Sequence, residues 1–312
     1  RDDKIIGKKE KSTYYYSYNE DQNADELVFQ KALDFYNKYG LFSVMKKPFI
    51  SVIVTAYNRK EFLLQALQSV VNQTLLKDRY EIICIKNFKD SEIDKYIKEN
   101  NIKSITGKNK PIGEWLYLAT KKSKGEVLVF LDDDDLFSKY KLDRINFVFS
   151  KFSIGFYHNS SLKGKKLKNN NFSYSENSFK IIRYPFRNKA KYFRIASFNL
   201  SSIAIKKYIL SSHLNELKKV VTSQDSFMLL VSLIQKSDIF IDNGKYTFYR
   251  LHNKNASRHQ SLEKQLKFLK SLEIPALIYQ SALAKEHKSK AAKLFLKYLF
   301  FMAESDLAIL EK

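Results

Sequence analysis

One cysteine in 312 residues, Cys84, excludes an intrachain disulfide, and its place in the apolar run 82–85 reads as a buried thiol suited to a reducing compartment. Glycine and proline number only 8 and 4, and with 44% hydrophobic and 14% aromatic residues this is the composition of a packed globule, not of a disordered chain. No run of about 18 apolar residues is present, so no helix is expected to cross a bilayer, and the charged opening 1–11 has no signal-peptide core. The expectation is a soluble or peripheral, cytoplasmic protein, with the cytoplasmic membrane face as a candidate surface. There is no internal repeat and no Gly-rich phosphate loop, which argues against a nucleotidyltransferase.

Acid is also in short supply: 33 Asp and Glu face 55 Lys and Arg, a net charge of +22. The surplus is partly regional, since the basic residues from Lys163 to Lys207 stand against Glu176 alone. Such a field attracts anions, whether nucleic acid, lipid headgroups or phosphorylated substrates, and charge by itself does not choose among them.

The chain length suits one α/β domain with appended helices. A polar, tyrosine-rich leader precedes a helical pattern over 25–39 that ends at Gly40. The β-branched run 49–55 follows Pro48 and reads as a buried strand; 60–73 has helical spacing and 80–85 is again a strand, completing a β-α-β unit. The pattern predicts a helix over 90–100, a short strand over 103–106, a helix over 112–122 ended by Gly125, and a strand over 126–131. Further on, 154–158 is a candidate strand, 162–178 a polar loop or hairpin, 196–205 a strand leading to a helix, 226–235 a helix and 239–250 strand-like; amphipathic helices follow from 261. Alternating strands and helices predict a mostly parallel, Rossmann-like sheet flanked by helices, with right-handed crossovers and a ligand crevice at the strands' carboxyl ends.

Two turns fall at such ends. After 127–131 come Asp132, Asp133, Asp134 and Asp135, four adjacent carboxylates that repel one another unless a hard divalent cation bridges them to a phosphate. A solvated acidic turn or a helix N-terminus would be the plainer use, and the buried strand before them favours the metal or nucleotide role. The other turn, SVIVTAYNR at 51–59, passes from strand to helix through small and polar residues, so that backbone near Thr55 and Ala56 can approach a base or ribose. Tyr57 and Arg59 there read equally well as packing and surface charge.

Paired with GEVLVFLDDDDLF at 125–137, the 51–59 segment resembles the family 2 glycosyltransferases of the GT-A fold, which move sugars from nucleotide diphosphate donors with inversion. Thr222, Ser223, Gln224 and Asp225 look like the family's ED-type motif before a helix, and YRLHNKNAS at 249–257 looks like its Arg-x-His-x-x-Asn-x-Ser ending. The resemblance spans about 48–258, leaving 1–47 as leader and helix and 259–312 as a helical extension. It implies that Asp132 and Asp134 form a DxD-like element, one carboxylate touching ribose while Asp134 or Asp135 binds Mn²⁺ or Mg²⁺. It places Thr55, Ala56, Tyr57, Arg59, Asn87, Asp132 and Asp133 around the nucleotide-sugar, Asp225 as general base, Arg250 on the diphosphate, and His252 on the diphosphate or the metal. The sequence departs from the family at 85–90, IKNFKD, where many relatives have an acidic turn, and at Thr55, where proline is frequent.

The implied partners are a nucleotide-sugar donor and a glycan or lipid-linked acceptor, with the basic stretch 163–194 as an acceptor face or a contact with an anionic membrane. Packing onto the catalytic domain is the expected use of the C-terminal apolar stripes. A nucleic-acid-binding module would use the charge and aromatics but leaves the four aspartates unexplained; a degenerate scaffold would explain Lys86 and Asn87.

Overall fold

The structure is a computed structural model describing residues 6–10, 13–17, 49–108, 110–167, 178–186, 190–252 and 261–310. The helix expected over 25–39 and the motif positions 253–257 lie outside the described residues, as does part of the polar stretch after 167.

The sheet begins, in chain order, with β1 (Ile6–Glu10), β2 (Thr13–Ser17), β3 (Ile50–Ala56), β4 (Tyr80–Lys86), β5 (Lys103–Thr106) and β6 (Val127–Asp132). It continues with β7 (Leu136–Phe137), β8 (Phe156–Gly164), β9 (Phe179–Ile182), β10 (Ile203–Lys206) and β11 (Ile239–Arg250). These form one mixed sheet in the order β1-β2-β9-β11-β8-β10-β6-β3-β4-β5, with β7 paired to β11. The run β6-β3-β4-β5 is parallel, as the β-α-β pattern requires. Beyond β6 the sheet is largely antiparallel, except that β11 lies parallel to β8.

Every residue of β3 is buried, because both faces of the sheet carry helices. Alternate strand residues feed two cores: Val52, Val54, Cys84 and Val129 pack with Leu63, Leu67, Ile93 and Ile145, from α1 (Leu63–Val71), α2 (Ser91–Glu99) and α4 (Lys141–Lys151). Ile53, Ile83, Leu128 and Phe130 face α3 (Ile112–Lys122) on the other side. Chain order then brings α5 (Ala190–Ala196), α6 (Lys207–Ser211), α7 (Leu214–Leu217), α8 (Gln224–Ile234), α9 (Leu262–Phe268), α10 (Ile274–Glu286) and α11 (Lys290–Leu310). Leu277, Leu283, Phe295 and Leu296 of the last two enter the same core as Phe130 and Phe227, so those stripes are packing surfaces. Each such side chain contributes roughly 1.5–3 kcal/mol through burial.

Two local readings are corrected. The segment read as one strand over 196–205 instead ends α5 and turns through Asn199, at φ 64, and a short 3₁₀ turn at Leu200–Ser202 before β10. Asn side chains tolerate that left-handed backbone because they bond locally, and Asn199 Oδ1 accepts from Ser201 N at 3.0 Å. Helix α3 stops at Ser123; Gly125 serves another purpose, since a Cβ there would lie 2.5 Å from the Ser51 amide nitrogen.

Candidate active site

The carboxyl ends of β3, β4 and β6 lie side by side, with Thr55 registered against Asp132 and Ile85. β7 then doubles back antiparallel to β11, pairing Leu136 with Phe248, and this fold-back carries the aspartate turn against the end of β11. That is how residues more than 110 positions apart meet: His252 Nε2 lies 2.8 Å from Asp134 Oδ2, and the Arg250 amide donates to Asp135 Oδ1 at 3.0 Å.

The Arg250 side chain braces the turn. Its Nε donates to the Asp134 carbonyl at 2.8 Å, a terminal nitrogen donates to Gln65 Oε1 at 2.7 Å, and the guanidinium lies 4.4 Å from the Phe62 ring centre. Arg59 holds both oxygens of Asp133, at 2.7 and 2.5 Å, and reaches Asp134 Oδ2 at 2.8 Å. Asp134 Oδ2 is thus shared by Arg59 and His252. Asp135 Oδ2 is buried without a hydrogen-bond partner; among the described residues Asp134, Asp135 and His252 do not close into one compact ligand cluster.

Asp225 stands in the first turn of α8, where Oδ1 accepts from Ser226 N at 2.8 Å and Oδ2 from Asn199 N at 3.2 Å. Burial pushes this carboxyl up to about 6 even so. Burial, then the charges of Asp134, Asp135, Asp133 and Asp225, hold Asp132 well above the carboxylate range, which puts Asp225 within electrostatic reach of the aspartate turn. Asp132 and Asp225 are both half-buried. Asp135 is pushed up to about 7 by burial and by Asp134; Asp133 is also raised by burial, with Arg59 pulling it back.

Thr55 and Ala56 turn into the fold and can offer only backbone to a ligand. Tyr57 is 50% exposed, its ring 5.5 Å from that of buried Trp115. Asn87 ties two strand-end loops together: Oδ1 accepts from Asn58 N at 2.8 Å and Nδ2 donates to Asn58 Oδ1 at 2.7 Å. Lys86, in the place of the missing acidic turn, is buried and bonded to the Phe88 carbonyl and to Asp94 at 2.7 Å, a use internal to the fold.

Sequence reasoning missed a supporting layer. Asp132 N donates to Ser201 Oγ at 3.0 Å, and fully buried Lys141 donates to the Ser201 carbonyl and to Thr247 Oγ1 at 2.8 Å. Burial pushes the Lys141 ammonium well below its usual range while Asp135 pulls it back. Nothing in the sequence around Asn199, Ser201 or Lys141 marks them, because their partners come from distant strands.

The arrangement can hold a cation through Asp134 and His252, and it places a carboxylate of raised basicity nearby. The sequence model described as glycosyl transferase family 2 matches residues 51–209, just over half of the chain. An uncharacterized glycosyltransferase of Rickettsia bellii (strain RML369-C) is 34% identical over 153 residues, 45% of this chain and 21% of that protein, so the chain spans well under half of that relative's length. S. aureus TarS 1–349 in complex with UDP-GlcNAc superposes with a TM-score of 0.55 at 15% identity, covering 74% of this chain and 66% of that one. The mannosyltransferase PcManGT of Pyrobaculum calidifontis, in complex with GDP-Man and Mn²⁺, gives 0.55 at 13% identity over 93% and 85%.

Proposed function

The chain belongs to glycosyl transferase family 2, and from that premise we propose that it moves a sugar from a nucleoside diphosphate donor to a hydroxyl acceptor with inversion, using Asp225 as base. The observation that carries this reading is the convergence, at one end of the sheet, of the Asp134–His252 pair with Asp225 on the neighbouring helix. Proteins of the same fold hold UDP-GlcNAc, or GDP-Man with Mn²⁺, which supports the donor class.

The residues fit a divalent ion. A hard cation needs only one or two protein carboxylates when the substrate's phosphates complete its shell, and Asp134 with His252 offers such a partial shell. Asp135, with an unpartnered buried oxygen, stands beside them. When bound, Mn²⁺ or Mg²⁺ would neutralise the departing diphosphate. Asp225 takes the acceptor proton as that oxygen attacks the anomeric carbon opposite the leaving group; one carboxylate and one displacement invert the centre. Its raised pKa suits a base working near neutrality. Backbone at Thr55 and Ala56, the exposed face of Tyr57, and Asn87 flank the nucleotide; Asp132 takes the ribose, while Arg59 and Arg250 keep the carboxylate turn in place. Exposed Lys163, Lys165 and Lys166 offer an anionic glycan or lipid-linked acceptor a basic approach, with the membrane surface as its setting. Among the described residues no helix is long and apolar enough to cross a membrane. No observation favours the nucleic-acid reading, which leaves the buried carboxylates unused.

The test is thermal shift and calorimetry with UDP- and GDP-sugars, with and without Mn²⁺. A donor at about 100 times its Kd stabilises the fold by roughly 2.7 kcal/mol, and Asp134→Asn removes the metal-dependent part. A protein indifferent to every nucleotide-sugar, with or without Mn²⁺, would refute the proposal.

A further inference from the structure

Away from the sheet end, His213 and Glu216 meet His287 of the C-terminal helices. His213 precedes α7, Glu216 lies within that helix, and His287 caps the end of α10. Their ligand atoms all lie within 4.8 Å of one another, and the two imidazoles meet nearly edge to face with centres 5.1 Å apart. His213 is only 2% exposed, which is unusual for a group that can carry charge, and Gln235 on the adjoining element contacts its Nε2 at 3.1 Å. With the Gln235 amide turned so that its oxygen accepts the Nε2 proton, Nδ1 is the nitrogen left to ligate, and an outer partner of this kind fixes tautomer and ring orientation.

We propose that His213, Glu216 and His287 form a second metal site, of Zn²⁺ type, that clips the C-terminal helices to the catalytic body. Two imidazoles and a carboxylate are a borderline-soft set, which favours Zn²⁺ over the Mg²⁺ or Mn²⁺ suited to carboxylate and phosphate oxygens. Tetrahedral Zn²⁺ holds its ligand atoms about 3.3 Å apart, so the three groups must close by roughly 1.5 Å at most. His287 is the exposed member, on a helix end followed by Lys288 at φ 50, and its side chain is free of the core, so the closing falls to it. The cation completes a link between α7 and α10 that protein contacts already begin, since Tyr279 Oη donates to the Glu216 carbonyl at 3.0 Å.

The test is Zn²⁺ titration of the whole chain by calorimetry in excess Mg²⁺, with the thermal unfolding temperature and the visible spectrum of the Co²⁺-substituted protein as further readouts. We expect one Zn²⁺ per chain and a rise of about 2–4 °C. His287→Ala, at an exposed position, and Glu216→Gln should each weaken binding by about 10–100-fold and erase the tetrahedral Co²⁺ bands. His213→Ala is a poorer probe because the ring is buried. Neither preferred variant touches Asp134 or His252, so Zn²⁺ binding that survives both belongs to the catalytic carboxylates and overturns the proposal. No uptake by the unaltered chain overturns it as well.

Discussion

Strand β11 carries a buried charge cluster at each end, and the two are built on opposite principles. Near its start, Asp242 Oδ2 accepts from Arg144 Nε at 2.7 Å and from Tyr157 Oη at 3.1 Å, while Oδ1 accepts from Gly244 N at 2.9 Å. One carboxylate meets one guanidinium, both acceptor oxygens are used, and Asp242 holds the Arg144 cation above its usual range despite burial. At the far end, Arg59 and Arg250 face four carboxylates, Asp135 keeps an unpartnered oxygen, and Asp132, Asp133 and Asp135 are all raised. The first cluster is balanced in charge, although Arg144 Nη2 is buried without a hydrogen-bond partner, and it serves the fold. The second is short of positive charge, the imbalance that the proposed divalent cation would relieve.

The largest effect that sharpens this contrast is on activity. Asp225→Asn preserves the shape of the α8 start and one acceptor oxygen but removes the proposed base, and should lower kcat by about 10²–10⁴-fold with little change in unfolding temperature. Unaltered turnover in a single-turnover assay would remove Asp225 from the mechanism. Next comes the charge-balanced cluster: Arg144→Met leaves Asp242 buried and without its cation, at a cost of about 3–5 kcal/mol in denaturant unfolding. If that variant lost activity and kept its stability, the division between a structural and a functional cluster would fail.

The parallel half and its turns were legible in the sequence because their signals are local. Residues 103–106 and 112–122 are a strand and a helix as the period predicts, and the aspartates stand where a buried strand stops. The half beyond β6 was harder. β11 runs parallel to β8 with register shifts between Asp242, Lys245 and Thr247, so its alternation is broken just where it would be read, and β8 continues through the mostly polar residues 159–164 because β11 pairs with them. The supporting contacts were invisible for a related reason. Ser201 holds Asp132 across 69 positions and Gln65 holds Arg250 across 185, and neither residue type announces a distant partner. Lys86 shows the converse: it departs from the family's acidic turn, and only its contacts with Phe88 and Asp94 show that the charge is consumed within the fold.

A smaller effect concerns stability. Asp135 is 1% exposed and its carboxyl is raised to about 7, so the folded state prefers it protonated. Its contribution is fully present below the unfolded value near 3.9 and is lost as pH rises through about 7. Asp135→Asn keeps an acceptor for the Arg250 amide and discards the charge. The variant should be more stable than the parent by on the order of 2–4 kcal/mol at pH 8, with the gap closing by pH 4. A gap of equal size at both pH values would mean that the gain is not electrostatic.

The smallest effect separates the base from the rest of the cluster. With its carboxyl at about 6, Asp225 is the ionised proton acceptor above that pH and the inert acid below it. For a reaction limited by chemistry, kcat/KM should be level above about pH 7 and fall tenfold per unit well below 6, a loss of about 1.4 kcal/mol of transition-state stabilisation per unit. The residual activity of Asp225→Asn should lack that acid limb. The proposed cation site responds differently, because protons and a metal ion compete for the same ligand groups and acid weakens ion binding. Saturating Mn²⁺ therefore removes any part of the limb that comes from lost metal and leaves the part that comes from Asp225. A limb that vanishes entirely at high Mn²⁺ would assign the pH dependence to the metal ligands and leave Asp225 as an anchor for the Asn199 turn.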